Sequence, residues 1–204
     1  MKAPIPDNEA ERLAALAEYR ILDTAAEQAY DDITALAAYL CEVPIAMISL
    51  VDASRQWFKS KAGLNEQETP RDVAFCAHAI LQSEPLIVRD ALKDARFADS
   101  ALVTREPHIR FYAGFPLFTP EGFALGTLCA IDRKPRQITP EQQTAMAALS
   151  RQVMGFAVIG GMSAASFIAI FLIPASFYVV EKIGGHKPGT APANAAVPAG
   201  GSAH

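Results

Sequence analysis

The sequence predicts an α+β fold in which helices pack on an antiparallel sheet, followed by one C-terminal transmembrane helix. Two stretches near the N-terminus repeat apolar residues at helical spacing. Two pairs of apolar or alternating runs are separated by tight turns, as in antiparallel hairpins. A single run without any charged residue then spans 152–180, which is long enough to cross a bilayer core.

The first two helices are predicted from spacing and from capping signals. Residues 8–19 are mostly helix formers, with Leu13 and Leu16 on one face. Thr24, with Glu27 three residues later, has the pattern of a capping box. We therefore expect a second helix to begin at Thr24 and to turn an apolar stripe towards a core.

Two more helix starts are predicted further along the chain. Asp72 is a suitable N-cap for a short helix over residues 73–81. Thr139 precedes a proline and is followed by Gln142, a second capping-box pattern. The helix that Thr139 opens is expected to continue into the charge-free run without a break.

The strands are predicted from short apolar or alternating runs bounded by turn residues. The first and second, and the fourth and fifth, are expected to pair as antiparallel hairpins, because only a few turn residues separate them. A polar loop is expected between the third and fourth strands. The predicted strands cover residues 45–52, 56–62, 85–90, 109–118 and 124–132.

Composition limits the function classes. The 204 residues carry a net charge of −4, so no basic footprint for nucleic acid is expected. Mean hydropathy is +0.16, and the charge-free run accounts for the excess. We expect a transmembrane helix at 153–180, which would anchor the chain to the membrane, and a disordered Ala/Pro/Gly-rich tail at 181–204.

Charge and cysteine usage predict the topology. The three cysteines are odd in number and widely spaced, and no signal peptide precedes them, which fits free thiols in a reducing cytosol. More basic residues lie just before the apolar run than after it. The positive-inside rule then favours a single-pass protein of the inner membrane with its N-terminal domain in the cytoplasm.

Several long motifs in order resemble the GAF domains of bacterial signalling proteins, the type that precedes diguanylate cyclase or histidine kinase modules. The motifs are LAEYRILDT, YDDITALAAYLCEVPIAMISLVDASRQWFKSKAGL, ETPRDVAFCAHAIL, RFAD, PHIRFYAGFPL and ALGTLCAID. The resemblance implies a GAF-like α+β fold, with an N-terminal arm at 1–9 and a sensory domain at 10–152. Relatives often have Pro-Pro where this chain has Ala25-Ala26.

A second resemblance concerns the apolar run. Residues 155–183, GFAVIGGMSAASFIAIFLIPASFYVVEKI, resemble the last transmembrane helix of RND efflux transporters. In those transporters the C-terminus is cytoplasmic, which conflicts with a cytoplasmic GAF domain. We give precedence to the charge bias, and fusion or truncation of a sensor gene with a transporter end stays open as an alternative.

Six residues are candidates for binding a small ligand, and the pocket placement of most of them is implied by the GAF resemblance. Cys76 and His78 point to different sides of a helix, so they do not form one metal-ligand set, and we expect neither metal nor cofactor. Packing or pocket lining is favoured over a reactive thiol at Cys76. The full set is Cys76, His78, Arg96, His108, Arg110 and Tyr112.

Arg110 is the candidate with the most specific chemistry. Its guanidinium would hold an anionic ligand bidentately, with Tyr112 donating a hydrogen bond. The alternative, which we favour, is a structural arginine tied to a loop carboxylate such as Asp94 or Asp99. The strand alternation places His108, Arg110 and Tyr112 on one face.

The leading hypothesis is a non-catalytic, membrane-anchored sensor domain that binds a small molecule or a partner. No cyclase, kinase or hydrolase motif is present in the sequence, and we therefore expect the protein not to be an enzyme. The small residues Gly161 and Ala165 would allow two copies of the predicted transmembrane helix to pack closely, and this permits a homodimer. The alternative is a thiol-dependent reductase with Cys76 or Cys129 as nucleophile, against which the sequence shows no resolving cysteine nearby.

Overall fold

The computed structural model describes residues 2–159, the last two by their backbone alone. Six strands, five α-helices and one short 3-10 helix make up this part of the chain. In chain order they are α1 (Glu9–Glu18), α2 (Gln28–Cys41), β1 (Ile45–Val51), β2 (Arg55–Ala62), β3 (Glu68–Pro70), the 3-10 helix (Arg71–Val73), α3 (Phe75–Ala79), β4 (Leu86–Val88), α4 (Ala101–Thr104), β5 (Phe111–Phe118), β6 (Ala124–Asp132) and α5 (Pro140–Ile159).

The strands form one antiparallel sheet in the order β3-β2-β1-β6-β5-β4. The hairpins β1–β2 and β5–β6 are those that the sequence predicts, and β1 pairs with β6 to join them. This arrangement confirms the predicted α+β class with an antiparallel sheet. It also brings β1 and β6 side by side in the middle of the sheet, although they are far apart in the chain.

Both faces of the sheet are covered, because β1 and β6 are buried along their whole length. Alternate side chains enter two separate cores. The helix-side core contains the apolar faces of α1, α2 and α5, with residues such as Leu16, Ile33 and Met146. The cavity-side core contains α3 and the connections around it, with residues such as Phe75 and Phe97.

The predicted helix starts have different outcomes. At α5 the capping box forms: the Gln142 amide N donates to Thr139 Oγ1 at 3.2 Å, and the Thr139 amide N donates to Gln142 Oε1 at 3.0 Å. At α2 it does not form, because the Thr24 hydroxyl donates to the Ile21 carbonyl and accepts from Lys59. The helix begins at Gln28 instead.

The predicted cap at Asp72 is also wrong. No side chain caps α3, which begins at Phe75, and Asp72 pairs with Lys2 Nζ at 3.2 Å. Asp72 lies within the 3-10 helix, and Val73 and Ala74 separate it from α3. Three short elements were not predicted, the edge strand β3, the 3-10 helix and the single-turn helix α4, since each is too short to show periodicity.

A buried arginine on α1 binds α1 to the sheet. Arg12 is only 1% exposed, donates from Nη1 to the Val51 carbonyl at 2.7 Å, and binds both carboxylate oxygens of Glu9. Arg71 also donates to Glu9. Burial on its own raises the pKa of Glu9, but the hydrogen bonds from Arg12 and Arg71 outweigh it and lower the pKa to about 2.

The apolar run lies almost entirely outside the described residues. Helix α5 reaches Ile159, so the predicted transmembrane helix at 153–180 is covered only at its start, and the tail at 181–204 is not covered. Within 2–159, we find no helix that combines the length and apolar character needed to cross a membrane.

Candidate functional site

A narrow cavity lies between the sheet and the cavity-side core. Its volume is about 100 Å³. Strands β1, β2, β5 and β6 supply its floor, α3 supplies one wall, and the loops before β3 and β5 form its mouth. Lining side chains include Met47, Phe58, Phe75, Cys76, Ile109, Tyr112 and Ile131, so the cavity is mainly apolar.

Four polar residues also line this cavity. Gln56 and Thr69 face each other across the β2–β3 ladder, and both Gln56 Oε1 and Thr69 Oγ1 are buried without a hydrogen-bond partner within the described chain. A buried polar atom without a partner costs about 1–3 kcal/mol. At the mouth, Glu66 and Glu106 are exposed to solvent. The cavity therefore offers two unused polar atoms inside and negative charge outside.

A cluster of thiols and hydroxyls lies at the inner end of the cavity. Cys76 Sγ accepts hydrogen bonds from Ser49 Oγ at 3.1 Å and from the Tyr112 hydroxyl at 3.2 Å. Cys129 Sγ lies 3.4 Å from Cys76 Sγ and 2.8 Å from Thr127 Oγ1. Strands β1, β5 and β6 and helix α3 thus each contribute to one buried polar group. We call these five residues the thiol cluster.

Within the thiol cluster, the pKa values of Cys76 and Cys129 shift in opposite directions. Burial raises the pKa of Cys76, but hydrogen bonds from Cys129, Ser49, Thr127 and Tyr112 outweigh it and lower the pKa to about 7. Burial, and then the neighbouring Cys76, raise the pKa of Cys129 well above its usual range. The hydroxyls of Ser49 and Tyr112 both donate to Cys76 Sγ, so Cys76 is the member of the pair whose thiolate these contacts stabilise.

The structure places the six sequence candidates at different sites. Cys76 and Tyr112 line the cavity, whereas the other four are not among its lining residues. The His78 ring lies edge-on to Phe97, with ring centroids 4.9 Å apart. His108 Nε2 lies at the surface, 3.8 Å from a Glu106 carboxylate oxygen.

The two candidate arginines bind groups of the same chain. Arg96 Nη2 lies 2.6 Å from Asp94 Oδ2, and its guanidinium stands over the Phe97 ring. Arg110 Nη1 donates to the carbonyls of Val103 and Ile109 at 2.9 and 3.0 Å. These backbone contacts show that Arg110 stabilises the loop that precedes β5. The predicted pairing of Arg110 with Asp94 is not found, because Asp94 pairs with Arg96.

Sequence reasoning missed most of the residues around the cavity, and it named Cys129 only as a nucleophile of the alternative reductase. Ser49 and Thr127 stand within runs of apolar residues that form fully buried strands, and a polar residue at such a position is a usable signal. Gln56 and Thr69 carried no comparable signal, because β3 has only three residues.

Comparisons with known proteins agree on the family. A family model described as GAF domain matches residues 25–155. A Pseudomonas aeruginosa protein named a cyclic di-GMP phosphodiesterase is 45% identical over 143 residues, which is 70% of this chain and 24% of that protein. The chain thus spans about a quarter of the length of this relative.

Solved structures share the fold at low identity. The GAF domain of a phosphoenolpyruvate-protein phosphotransferase from Acinetobacter aligns with a TM-score of 0.55 and 17% identity, over 74% of this chain and 93% of that one. The corresponding domain from Coxiella burnetii gives a TM-score of 0.53 and 14% identity, over 76% and 98%. These likenesses support the fold alone.

Two expectations from the sequence change with these comparisons. The prediction that the protein is not an enzyme is wrong, because a relative 45% identical to the chain is named a phosphodiesterase; that match covers only a quarter of the relative. The resemblance of residues 155–183 to an RND transporter helix is not supported, since the family match ends at residue 155 and the segment lies beyond the described residues except for its first five.

Proposed function

Because this chain belongs to the GAF domain family, we propose that it serves as a sensor domain in cyclic di-GMP signalling and that its ligand occupies the cavity beside Tyr112. The observation that carries the proposal is the pair of buried, unpartnered polar atoms, Gln56 Oε1 and Thr69 Oγ1, on the wall of an otherwise apolar cavity. A ligand that hydrogen-bonds to these two atoms removes the free-energy cost of burying them without a partner.

The chemistry of the cavity restricts the class of ligand. An engineered apolar cavity of about 150 Å³ accommodates benzene, so a cavity of about 100 Å³ suits a molecule of only a few non-hydrogen atoms. Gln56 Oε1 is an acceptor, which calls for an N–H or O–H donor on the ligand. Glu66 and Glu106 at the mouth disfavour anions. We propose a small, neutral or cationic, largely apolar molecule with one donor group.

The role in cyclic di-GMP turnover is supported by the relative named a phosphodiesterase, which matches this chain over its sensor part. Cyclic di-GMP is many times larger than the cavity, so it is not proposed as the cavity ligand. We propose instead that occupancy of the cavity alters hydrolysis of cyclic di-GMP, which requires two conformations with different ligand affinity.

The ligand class can be tested with pyrrole and furan, which have the same size and shape but differ in the N–H donor. We expect pyrrole to bind the full chain about fivefold or more tightly than furan, because one hydrogen bond contributes about 1 kcal/mol. Binding is measured by ligand-observed NMR. The variant Gln56→Leu should lose this preference, whereas Gln28→Leu, at an exposed position on α2, should keep it. Equal binding of pyrrole and furan to the wild type would overturn the proposal.

The signalling role is tested in cells. Production of the full chain should change the cellular concentration of cyclic di-GMP, measured by mass spectrometry. The variant Gln28→Leu should change it equally, and Gln56→Leu should have a smaller effect. A cyclic di-GMP concentration that does not respond to the wild-type chain contradicts this part of the proposal.

Membrane attachment is a separate proposal. It is supported by the charge-free run over 152–180 and by the basic residues that precede it, which favour a cytoplasmic sensor domain at the inner membrane. Deletion of residues 160–204 should move the protein from the membrane fraction to the soluble fraction. Unchanged membrane association would refute an anchor in this run. Native mass spectrometry of the full chain would also test the predicted homodimer.

A further inference from the structure

Two of the three cysteines meet in the cavity-side core although they are distant in the chain. Cys76 lies on α3 and Cys129 on β6, and their sulfur atoms are 3.4 Å apart. Cys41 lies on the other face of the sheet, in the helix-side core. Nothing in the sequence pairs Cys76 with Cys129, and the objection that no resolving cysteine lies near Cys76 does not hold in the structure.

The surroundings of the two thiols favour reaction at Cys76. Hydroxyls of Ser49 and Tyr112 both donate to Cys76 Sγ, and such donors stabilise a thiolate more than a thiol. The pKa of Cys76 is lowered to about 7, whereas burial raises the pKa of Cys41 to about 11. The thiolate is the nucleophilic form of cysteine, so only one of these two buried cysteines is prepared for chemistry.

A small oxidant has a path to Cys76. This residue lines the cavity, whose mouth is bordered by the exposed Glu66 and Glu106, and Cys129 lies behind it. Hydrogen peroxide is neutral and little larger than water, which needs only about 10–15 Å³ of such a cavity. The order along the path is therefore solvent, Cys76, Cys129.

We propose that Cys76 and Cys129 form an oxidation site for hydrogen peroxide, with Cys76 as the attacking and Cys129 as the resolving thiol. The Cys76 thiolate attacks one peroxide oxygen, the O–O bond breaks, and the leaving hydroxide takes up the thiol proton as water. Cys129 then attacks the sulfur of the Cys76 sulfenic acid, which forms the S–S bond and releases a second water. Two thiols lose two electrons, and one peroxide is reduced.

The geometry requires only a small movement. A disulfide has an S–S distance of about 2.05 Å, so the two sulfur atoms, now 3.4 Å apart, must approach by about 1.4 Å. Cys76 lines the cavity, so a movement of its Sγ towards Cys129 changes the cavity lining. The proposal does not depend on the identity of the cavity ligand or on the signalling role.

The test uses the reduced full chain treated with hydrogen peroxide and analysed by intact-mass and peptide mass spectrometry. We expect loss of two hydrogen atoms, a peptide link between Cys76 and Cys129, and reversal by dithiothreitol. The variant Cys41→Ala is the matched control and should react in the same way. A wild type that keeps all three thiols free, or that oxidises Cys41 first, would overturn the proposal.

A second variant identifies the attacking thiol even if the disulfide is slow to form. In Cys129→Ala the Cys76 sulfenic acid has no resolving partner, so dimedone should label Cys76; in Cys76→Ala it should not label Cys129. Absence of label at Cys76 in a folded Cys129→Ala protein contradicts the assignment. The variant Gln56→Leu should still form the disulfide, so loss of pyrrole binding and loss of oxidation are separate results.

Discussion

Tyr112 reaches Cys76 only because residue 114 has no side chain, and this predicts the effect of Gly114→Ala. The two residues lie on the same face of β5. A Cβ at position 114 would stand 2.1 Å from the Tyr112 hydroxyl oxygen and 2.6 Å from its Cζ atom, whereas real Cβ contacts do not fall below 3.0 Å. The phenol must therefore move by about 0.9 Å or more.

The ring has little room for that movement. Tyr112 is 1% exposed, and its ring centroid lies 5.1 Å from that of Phe75, which is itself stacked on Phe97. Overpacking of a closed core costs about 1–3 kcal/mol, and loss of the hydrogen bond to Cys76 adds about 1 kcal/mol. We expect Gly114→Ala to lower the free energy of unfolding by about 2–4 kcal/mol.

Urea unfolding monitored by circular dichroism measures this change. The matched control is Gly155→Ala within α5, where nothing lies within 4 Å of the added Cβ. Alanine is favoured over glycine inside a helix, so the control should gain about 0.5–1 kcal/mol. If Gly114→Ala unfolds within 0.5 kcal/mol of the wild type, roughly the error of the measurement, the reasoning on Tyr112 is refuted.

Two further predictions concern buried charges. The carboxyl of Glu9 has its pKa lowered from 4.5 to about 2, so its contribution of about 3 kcal/mol to the free energy of unfolding is complete above pH 4.5 and is lost as pH falls towards 2. The variant Glu9→Gln should therefore lose less stability than the wild type between urea unfolding curves at pH 6 and pH 3. The same pH dependence in both proteins would contradict this prediction. The Lys59 ammonium is fully buried and donates to a hydroxyl, a carbonyl and a carboxylate of residues 24–27, so Lys59→Met should cost about 2 kcal/mol in thermal unfolding. The control Lys61→Met removes an exposed ammonium and should cost less than half as much; equal costs would refute the assignment.

The fold was predictable where local pattern and tertiary packing agree. The apolar runs of β1 and β6 and the capping box at Thr139 need no distant partner, and each is found where the sequence places it. The start of α2 was not predictable, because Lys59 of a different element takes the Thr24 hydroxyl. The buried Lys59 ammonium needs hydrogen-bond acceptors, and this requirement outweighs the local preference of Thr24 to cap a helix.

The candidate site was less predictable, since it depends on strand order and register. Ser49 and Thr127 are direct neighbours only because β1 pairs with β6 in that register, and one sequence does not reveal that pairing. The short strand β3 sets Thr69 opposite Gln56. Cys76 is a candidate because of its place on the predicted short helix, and Tyr112 because of the resemblance to relatives. The partners that give Cys76 its acidity come from tertiary structure.

Cavity occupancy and thiol oxidation share two residues, and this links the two proposals quantitatively. Cys76 and Tyr112 line the cavity and also belong to the thiol cluster. Because the disulfide changes the cavity lining at Cys76, reduced and oxidised protein should bind pyrrole with different affinity. Thermodynamic coupling is reciprocal, so a tenfold difference requires saturating pyrrole to shift the midpoint potential of the pair by about 30 mV. Titration of the pair in glutathione buffers with and without pyrrole measures the shift. Equal affinity of the reduced and oxidised protein for pyrrole, with no shift of the midpoint potential, would show that pyrrole binds at a place other than this cavity.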